Sequence, residues 1–193
     1  MAEDGEQGRV EPWERLSTRC VAEYEMFKVR EDRSRSPEDG EEQTFHVAES
    51  PGGVVVLALT DDGRLVMVEQ YRHGTRKVTL ELPAGVVDEG EEPEKAAARE
   101  LREETGYEGD DAEIIGRIDL NPSWQHTLVP VALVRGARRT GDKDLDEAED
   151  TCVRLVTPGD LRRRILSGEV QTGTTIAALA FWEWTKQPEA SEK

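Results

Sequence analysis

The chain has 193 residues, a length that suits one well-packed domain with an appendage better than two full-sized domains. Apolar residues make up 36% and charged residues 35%, and the apolar ones gather into runs at 54–59, 65–68 and 128–134, which excludes an intrinsically disordered chain. A net charge of -17 speaks against a duplex nucleic-acid or anionic-membrane surface, since both would repel it, and means that a polyanionic substrate needs cations to approach.

Only two cysteines occur, Cys20 and Cys152, in no metal-ligand or disulfide pattern, so a reducing cytoplasm is the expected setting. The start of the chain is acidic and lacks a basic-then-apolar export pattern, and no apolar run approaches the ~20 residues of a membrane helix.

In chain order, residues 1–12 and 187–193 read as polar flexible tails. Residues 13–50 alternate short apolar patches with a polar 30–43 stretch holding Ser-Pro and Asp-Gly, which predicts a small N-terminal β-subdomain of strands joined by a turn. Residues 51–186 form the main domain. It opens with a hairpin of 54–60 and 64–70 around Asp61-Asp62-Gly63, because Asp-Gly accepts the positive φ such turns need. A Glu/Ala/Arg-rich helix is predicted from Pro93, suited to a first helical position, to Thr105, with Gly106 as its C-terminal cap. Further strands are expected near 113–119, 128–135 and 152–157, with helices near 158–167 and 174–184; Cys152 reads as a buried strand residue.

On the predicted helix, Glu100, Glu103 and Glu104 stand at i, i+3 and i+4, so their carboxylates share one patch and repel by roughly 0.2–0.5 kcal/mol per pair. Arg99 and Arg102 could offset this in a plain solvated helix. The surroundings point elsewhere. Gly85 is followed after five residues by Glu91, and seven more lead to Arg99-Glu100-Leu101, then Glu103-Glu104, Gly106 and Tyr107. Seven identities at fixed spacings arise by chance roughly once in a million windows.

This pattern resembles the Nudix box, with Tyr107 aromatic where an aliphatic residue is usual. The resemblance implies an α/β fold, a Nudix-type α/β/α sandwich with a mixed β-sheet, preceded by the small β-subdomain. It implies hydrolysis of a pyrophosphate bond assisted by Mg2+, or Mn2+ in its place. A pyrophosphate is shielded by its own charge until divalent cations neutralise it, and carboxylates are the hard ligands such ions take. By resemblance, Glu100, Glu104 and Glu103 with the Ala84 carbonyl hold the metal. Glu91 and Arg99 lock the loop and helix together, and Gly85 and Gly106 allow tight entry and exit.

Three features are similar to the ADP-ribose and nucleoside diphosphate sugar pyrophosphatase branch. Gln70-Tyr71-Arg72 precedes Glu81-Leu82-Pro83-Ala84-Gly85; Pro122 lies sixteen residues past Gly106; and an acidic run, Asp146-Glu147-Ala148-Glu149-Asp150, precedes the Cys152 strand. The resemblance implies that Arg72 clamps phosphate. It also implies that Glu147, or else Glu149, is the base that deprotonates water, in a 136–150 connection long enough to be functional. Tyr24 and Phe27 could stack on a nucleobase, with core packing the expected role for at least one of them, while Trp124 and His126 carry less weight as catalytic candidates.

The expected reaction converts ADP-ribose to AMP and ribose 5-phosphate, in a cytoplasmic homodimer paired through the β-subdomain and with no nucleic-acid or membrane partner. Two other readings stay open: a Nudix hydrolase for another nucleoside diphosphate derivative, such as a dinucleoside polyphosphate or an oxidised nucleotide, or a non-catalytic nucleotide-sugar sensor.

Overall fold

The computed structural model describes residues 9–145 and 150–186. In chain order the strands and helices are β1 (Glu14–Glu23), β2 (Lys28–Arg35), β3 (Glu42–Glu49), β4 (Gly53–Leu59), β5 (Leu65–Arg72), β6 (Lys77–Glu81), β7 (Ala84–Val86) and α1 (Pro93–Thr105). Then follow β8 (Tyr107–Glu108), β9 (Glu113–Asp119), β10 (Gln125–His126), β11 (Leu128–Val134), β12 (Arg138–Arg139), β13 (Thr151–Val156), α2 (Pro158–Leu166) and α3 (Gly173–Thr185). They form two compact units. One holds the chain up to Ser50 together with Asn121–His126, and the other holds Pro51–Leu120 and the chain from Thr127 onward.

In the first unit β1, β2 and β3 make an antiparallel meander, and β10 adds to β3 in parallel. The polar stretch from residue 30 was expected to be turn. Instead β2 continues through Arg35, and the turn is confined to residues 36–41. The reason lies in side-chain pairing: Asp32 and Ser34 are buried, Arg19 of β1 pairs with Glu31, and Arg30 pairs with Asp32 along β2 and with Glu49 of β3. Paired charges make a polar strand acceptable in an antiparallel sheet.

The second unit centres on a seven-stranded sheet whose main path runs β13-β5-β4-β11-β9, with β6 against β5 and β7 against β4. The sheet is mixed, since β11 runs parallel to β4 and antiparallel to β9. Successive strand residues face opposite sides. Val55, Leu57, Met67, Val131 and Leu133 therefore pack with Leu161 of α2 and Ala178, Leu179 and Trp182 of α3, whereas Val54, Val56, Val66, Ala132 and Val134 pack with Ala96, Ala97 and Leu101 of α1. Near-continuous apolar runs are what a sheet covered on both faces requires. The result is the α/β/α sandwich that the box implied. Among the described residues no helix is long and apolar enough to cross a membrane.

α1 begins and ends where its local signals place it. Pro93 occupies the first turn, and Gly106 takes φ 71°, with its N–H donating to the Arg102 carbonyl at 2.8 Å. Gly106 is constrained a second time, because a Cβ there would press on the Gly141 backbone.

Candidate active site

The 81–85 segment brings the start of the box to the sheet. Val56 N–H donates to the Pro83 carbonyl at 2.8 Å, and Leu82 N–H donates to the buried Thr175 hydroxyl in the first turn of α3 at 3.2 Å. Both bonds satisfy backbone groups that irregular chain would otherwise leave unpaired. β7 then pairs Ala84 with Val55 and Gly85 with Val54.

Two carboxylates of α1 reach this segment. Glu104, only 2% exposed, accepts a hydrogen bond from Ala84 N–H at 3.1 Å. Glu100 lies against Gly85 so closely that a Cβ on that glycine would fall within 3.0 Å of all three carboxyl atoms. Glycine at 85 is therefore needed for space, not for backbone angle.

Arg99 ties the rest together. Its Nη1 donates to Glu100 at 2.8 Å and Glu103 at 3.2 Å, its Nε and Nη2 donate to Glu91 at 3.2 and 2.9 Å, and Nη2 also reaches the Val86 carbonyl at 2.9 Å. The Glu91 carboxyl is held below its ordinary range, first by the hydrogen bond from Arg99, with burial opposing. The guanidinium itself is pushed well above its ordinary value, chiefly by Glu91 and then against burial by Glu100 and Glu103. Arg99 thus stays charged and neutralises much of the repulsion within the cluster.

Glu100, Glu103, Glu104 and the Ala84 carbonyl supply the hard oxygen donors that Mg2+ or Mn2+ accepts. Gly85 leaves the Glu100 carboxylate its room, so the donor set fits such an ion in kind. Among the described residues no three acidic, imidazole or thiol groups stand together in ion-holding geometry. With Arg99 paired to Glu100 and Glu103, and Glu104 accepting from Ala84, these side chains are engaged with protein partners.

A cavity of about 470 Å³ opens beside the box, and Arg72, Lys77, Glu81, Ala84 and Gly85 lie on its wall. Arg72 grips the buried Glu81 carboxylate with Nε at 3.2 and 3.3 Å and Nη2 at 2.8 Å. Thr79 donates to the same carboxylate. Burial drives the Glu81 carboxyl upward, but the hydrogen bonds from Arg72 and Thr79 outweigh it, and the net displacement is below its ordinary value.

The acidic connection approaches α1 from its C-terminal end. Thr140 and Gly141 N–H groups donate to the Gly106 carbonyl, Asp144 N–H donates to the Glu103 carbonyl at 2.9 Å, and Lys143 bonds Thr151, whose hydroxyl donates to the Glu104 carbonyl. Within this connection β12 pairs with β8, a strand that no periodicity in the sequence marks. Glu147 and Glu149 lie outside the described residues.

Other expectations need correction. Cys152 is exposed, not buried, because Val153 and Leu155 turn to the core under α1 and Cys152 and Arg154, alternating with them, stand exposed on the other side of β13. Tyr24 and Phe27 belong to the first unit, where both are exposed and stack on each other with ring centroids 5.0 Å apart, so neither packs in a core. Trp124 is half-exposed and His126 exposed, in the same unit. Lys77, Gln171, Thr172 and Thr174, all on the cavity wall, carried no signal in the sequence, because their neighbourhood exists only once α3 packs on the sheet.

Residues 49–178 match the NUDIX domain, more than half of the chain. The chain belongs to the Nudix family. It is 34% identical over 169 residues to an ADP-ribose pyrophosphatase of Mycobacterium tuberculosis, covering 86% of this chain and 81% of that one. It is 35% identical over 144 residues to an ADP-ribose pyrophosphatase of Bacillus subtilis, covering 74% and 78%. A methanol dehydrogenase activator of Bacillus methanolicus is 28% identical over 86% of this chain and 90% of its own. Among solved structures, an ADP compounds hydrolase superposes with a TM-score of 0.81 at 20% identity, over 93% of this chain and 97% of the other, a likeness of fold.

Proposed function

We propose that this Nudix protein hydrolyses the pyrophosphate bond of a nucleoside diphosphate sugar, ADP-ribose first among them, yielding AMP and ribose 5-phosphate. The observation that carries the reading is the close seat of the Glu100 carboxylate on Gly85 at the edge of the cavity that also holds Arg72. It is supported by two relatives of at least 34% identity that are ADP-ribose pyrophosphatases.

Glu100, Glu104 and Glu103, with the Ala84 carbonyl, would hold Mg2+. An ion held there would supply positive charge to the phosphate oxygens and to the departing phosphate. The protein's own groups do the remainder. Arg72 presents a planar fork to a phosphate while Glu81 fixes its orientation. Arg99 and Glu91 keep the loop and helix in one arrangement. Glu147, or Glu149 in its place, takes the proton from the attacking water, whose oxygen bonds to phosphorus as the bridging oxygen leaves with its phosphate. The protein works as a cytoplasmic homodimer, with the N-terminal β-unit as the pairing element and Tyr24 and Phe27 at the base.

The test is a panel of nucleoside diphosphate sugars, dinucleoside polyphosphates and nucleoside triphosphates, with products resolved by phosphorus NMR. Cleavage of ADP-ribose at the pyrophosphate is the expected result. Cleavage of triphosphates alone would contradict it.

A further inference from the structure

The segment that starts α3 forms part of the wall of the cavity beside the box. Gln171, Thr172 and Thr174 line it, together with Arg72 and Lys77. Its volume, about 470 Å³, lies within the range of small-molecule sites. Val55 and Val129 supply an apolar floor, and no lining side chain among the described residues is aromatic.

This lining is a poor seat for a nucleobase, which gains most from a ring to stack on. It suits a sugar phosphate, whose C–H faces rest on aliphatic groups while its hydroxyls need short-range donors and acceptors. A glutamine amide and threonine hydroxyls offer both kinds of group. Lys77 and Arg72 add positive charge on the wall where a phosphate would lie.

The wall is also tied to the site. The Thr172 side chain hydrogen-bonds the Glu81 carboxylate that Arg72 grips, and Thr175, one turn in, holds Leu82 N–H. Glu81 therefore stands between the Arg72 guanidinium at the end of β5 and Thr172 at the start of α3. Ala84 and Gly85 line the same cavity, so a group seated in it adjoins the Glu100 carboxylate.

We propose that Gln171, Thr172 and Thr174, with Lys77 of the same cavity, are specificity-determining residues that receive the distal sugar-phosphate end of the substrate. This rests on the function proposed above. Glu81 is a positioning residue in the same arrangement.

The experiment compares two substrates sharing the scissile bond, ADP-ribose and the methyl ester of ADP at its β-phosphate, with the Mg2+-loaded full chain. Gln171→Ala and Thr174→Val are measured beside the parent protein. Gln171 is exposed, and Val matches Thr in volume, so both variants keep the fold, which circular dichroism and Tm verify. The expected result is a KM for ADP-ribose raised about 10-fold at nearly constant kcat, with less than about 2-fold change for the methyl ester. Equal changes for both substrates, or none for either, would overturn the inference while leaving the proposed function in place. A parent protein that cleaves neither substrate would overturn both.

Discussion

The Glu100 carboxylate occupies the space in which any side chain at residue 85 would have to lie. Two residues on different elements, a strand and a helix, are thus matched in volume. Gly85→Ala should push the Glu100 carboxyl from its place and lower hydrolysis by at least about 100-fold, since small displacements of aligned groups cost that much. Stability should fall by about 1–3 kcal/mol from overpacking. A steady-state assay with a urea melt checks both, and a variant of full activity would show that Glu100 need not sit there.

Arg99 bridges Glu91, Glu100 and Glu103 and binds the Val86 carbonyl. Arg99→Met removes the charge, keeps the stem and leaves three carboxylates close together. The expected loss in the metal-free protein is about 2 kcal/mol, because partly buried carboxylates lose their shared cation. Millimolar Mg2+ should return part of that loss by occupying the same carboxylates, seen as a larger Mg2+-induced rise in Tm than the parent shows.

Glu81 sets a pH dependence whose sign follows from its displacement. Its carboxyl is held below the ordinary 4.5 in the folded chain. Its contribution to stability is therefore fully present above about pH 4.5 and is lost as pH falls through the folded value. Glu81→Gln should flatten the acid limb of a stability–pH curve and leave its slope near neutrality unchanged.

Removing the guanidinium reverses that sign. In Arg72→Ala, burial of Glu81 is opposed by hydroxyls alone, so its carboxyl rises and its ionised form costs stability at neutral pH. The stability gap between parent and variant should be widest near pH 7 and shrink toward pH 4. Denaturant melts at several pH values measure it directly.

The legible parts of this protein were those coded by neighbours in sequence. Pro93 and Gly106 mark the ends of α1, and the apolar runs of β4, β5 and β11 mark a sheet covered on both faces. The box, being a loop and helix of contiguous residues, was readable for the same reason. What escaped was non-local. β6 and β7 are short and exist through pairing with β5 and β4. β2 is polar and held by charges on its neighbours, and Cys152 faces outward because register, not polarity, decides its side. The cavity wall combines residues of β4, β5, β6, β7 and β11 with the start of α3, from Gly53 to Thr174, and no local pattern announces such a meeting.

The most direct measurement is Mg2+-dependent hydrolysis of ADP-ribose by the parent protein and by Glu104→Gln under identical conditions. The carboxamide oxygen of Gln can still accept from Ala84 N–H, so the metal-free Tm should be equal or slightly higher, while a charged oxygen donor is lost. Turnover to AMP and ribose 5-phosphate by the parent, falling by orders of magnitude in the variant, is the predicted result. Equal rates in the two proteins would contradict the assignment of this helix face as the seat of the cation.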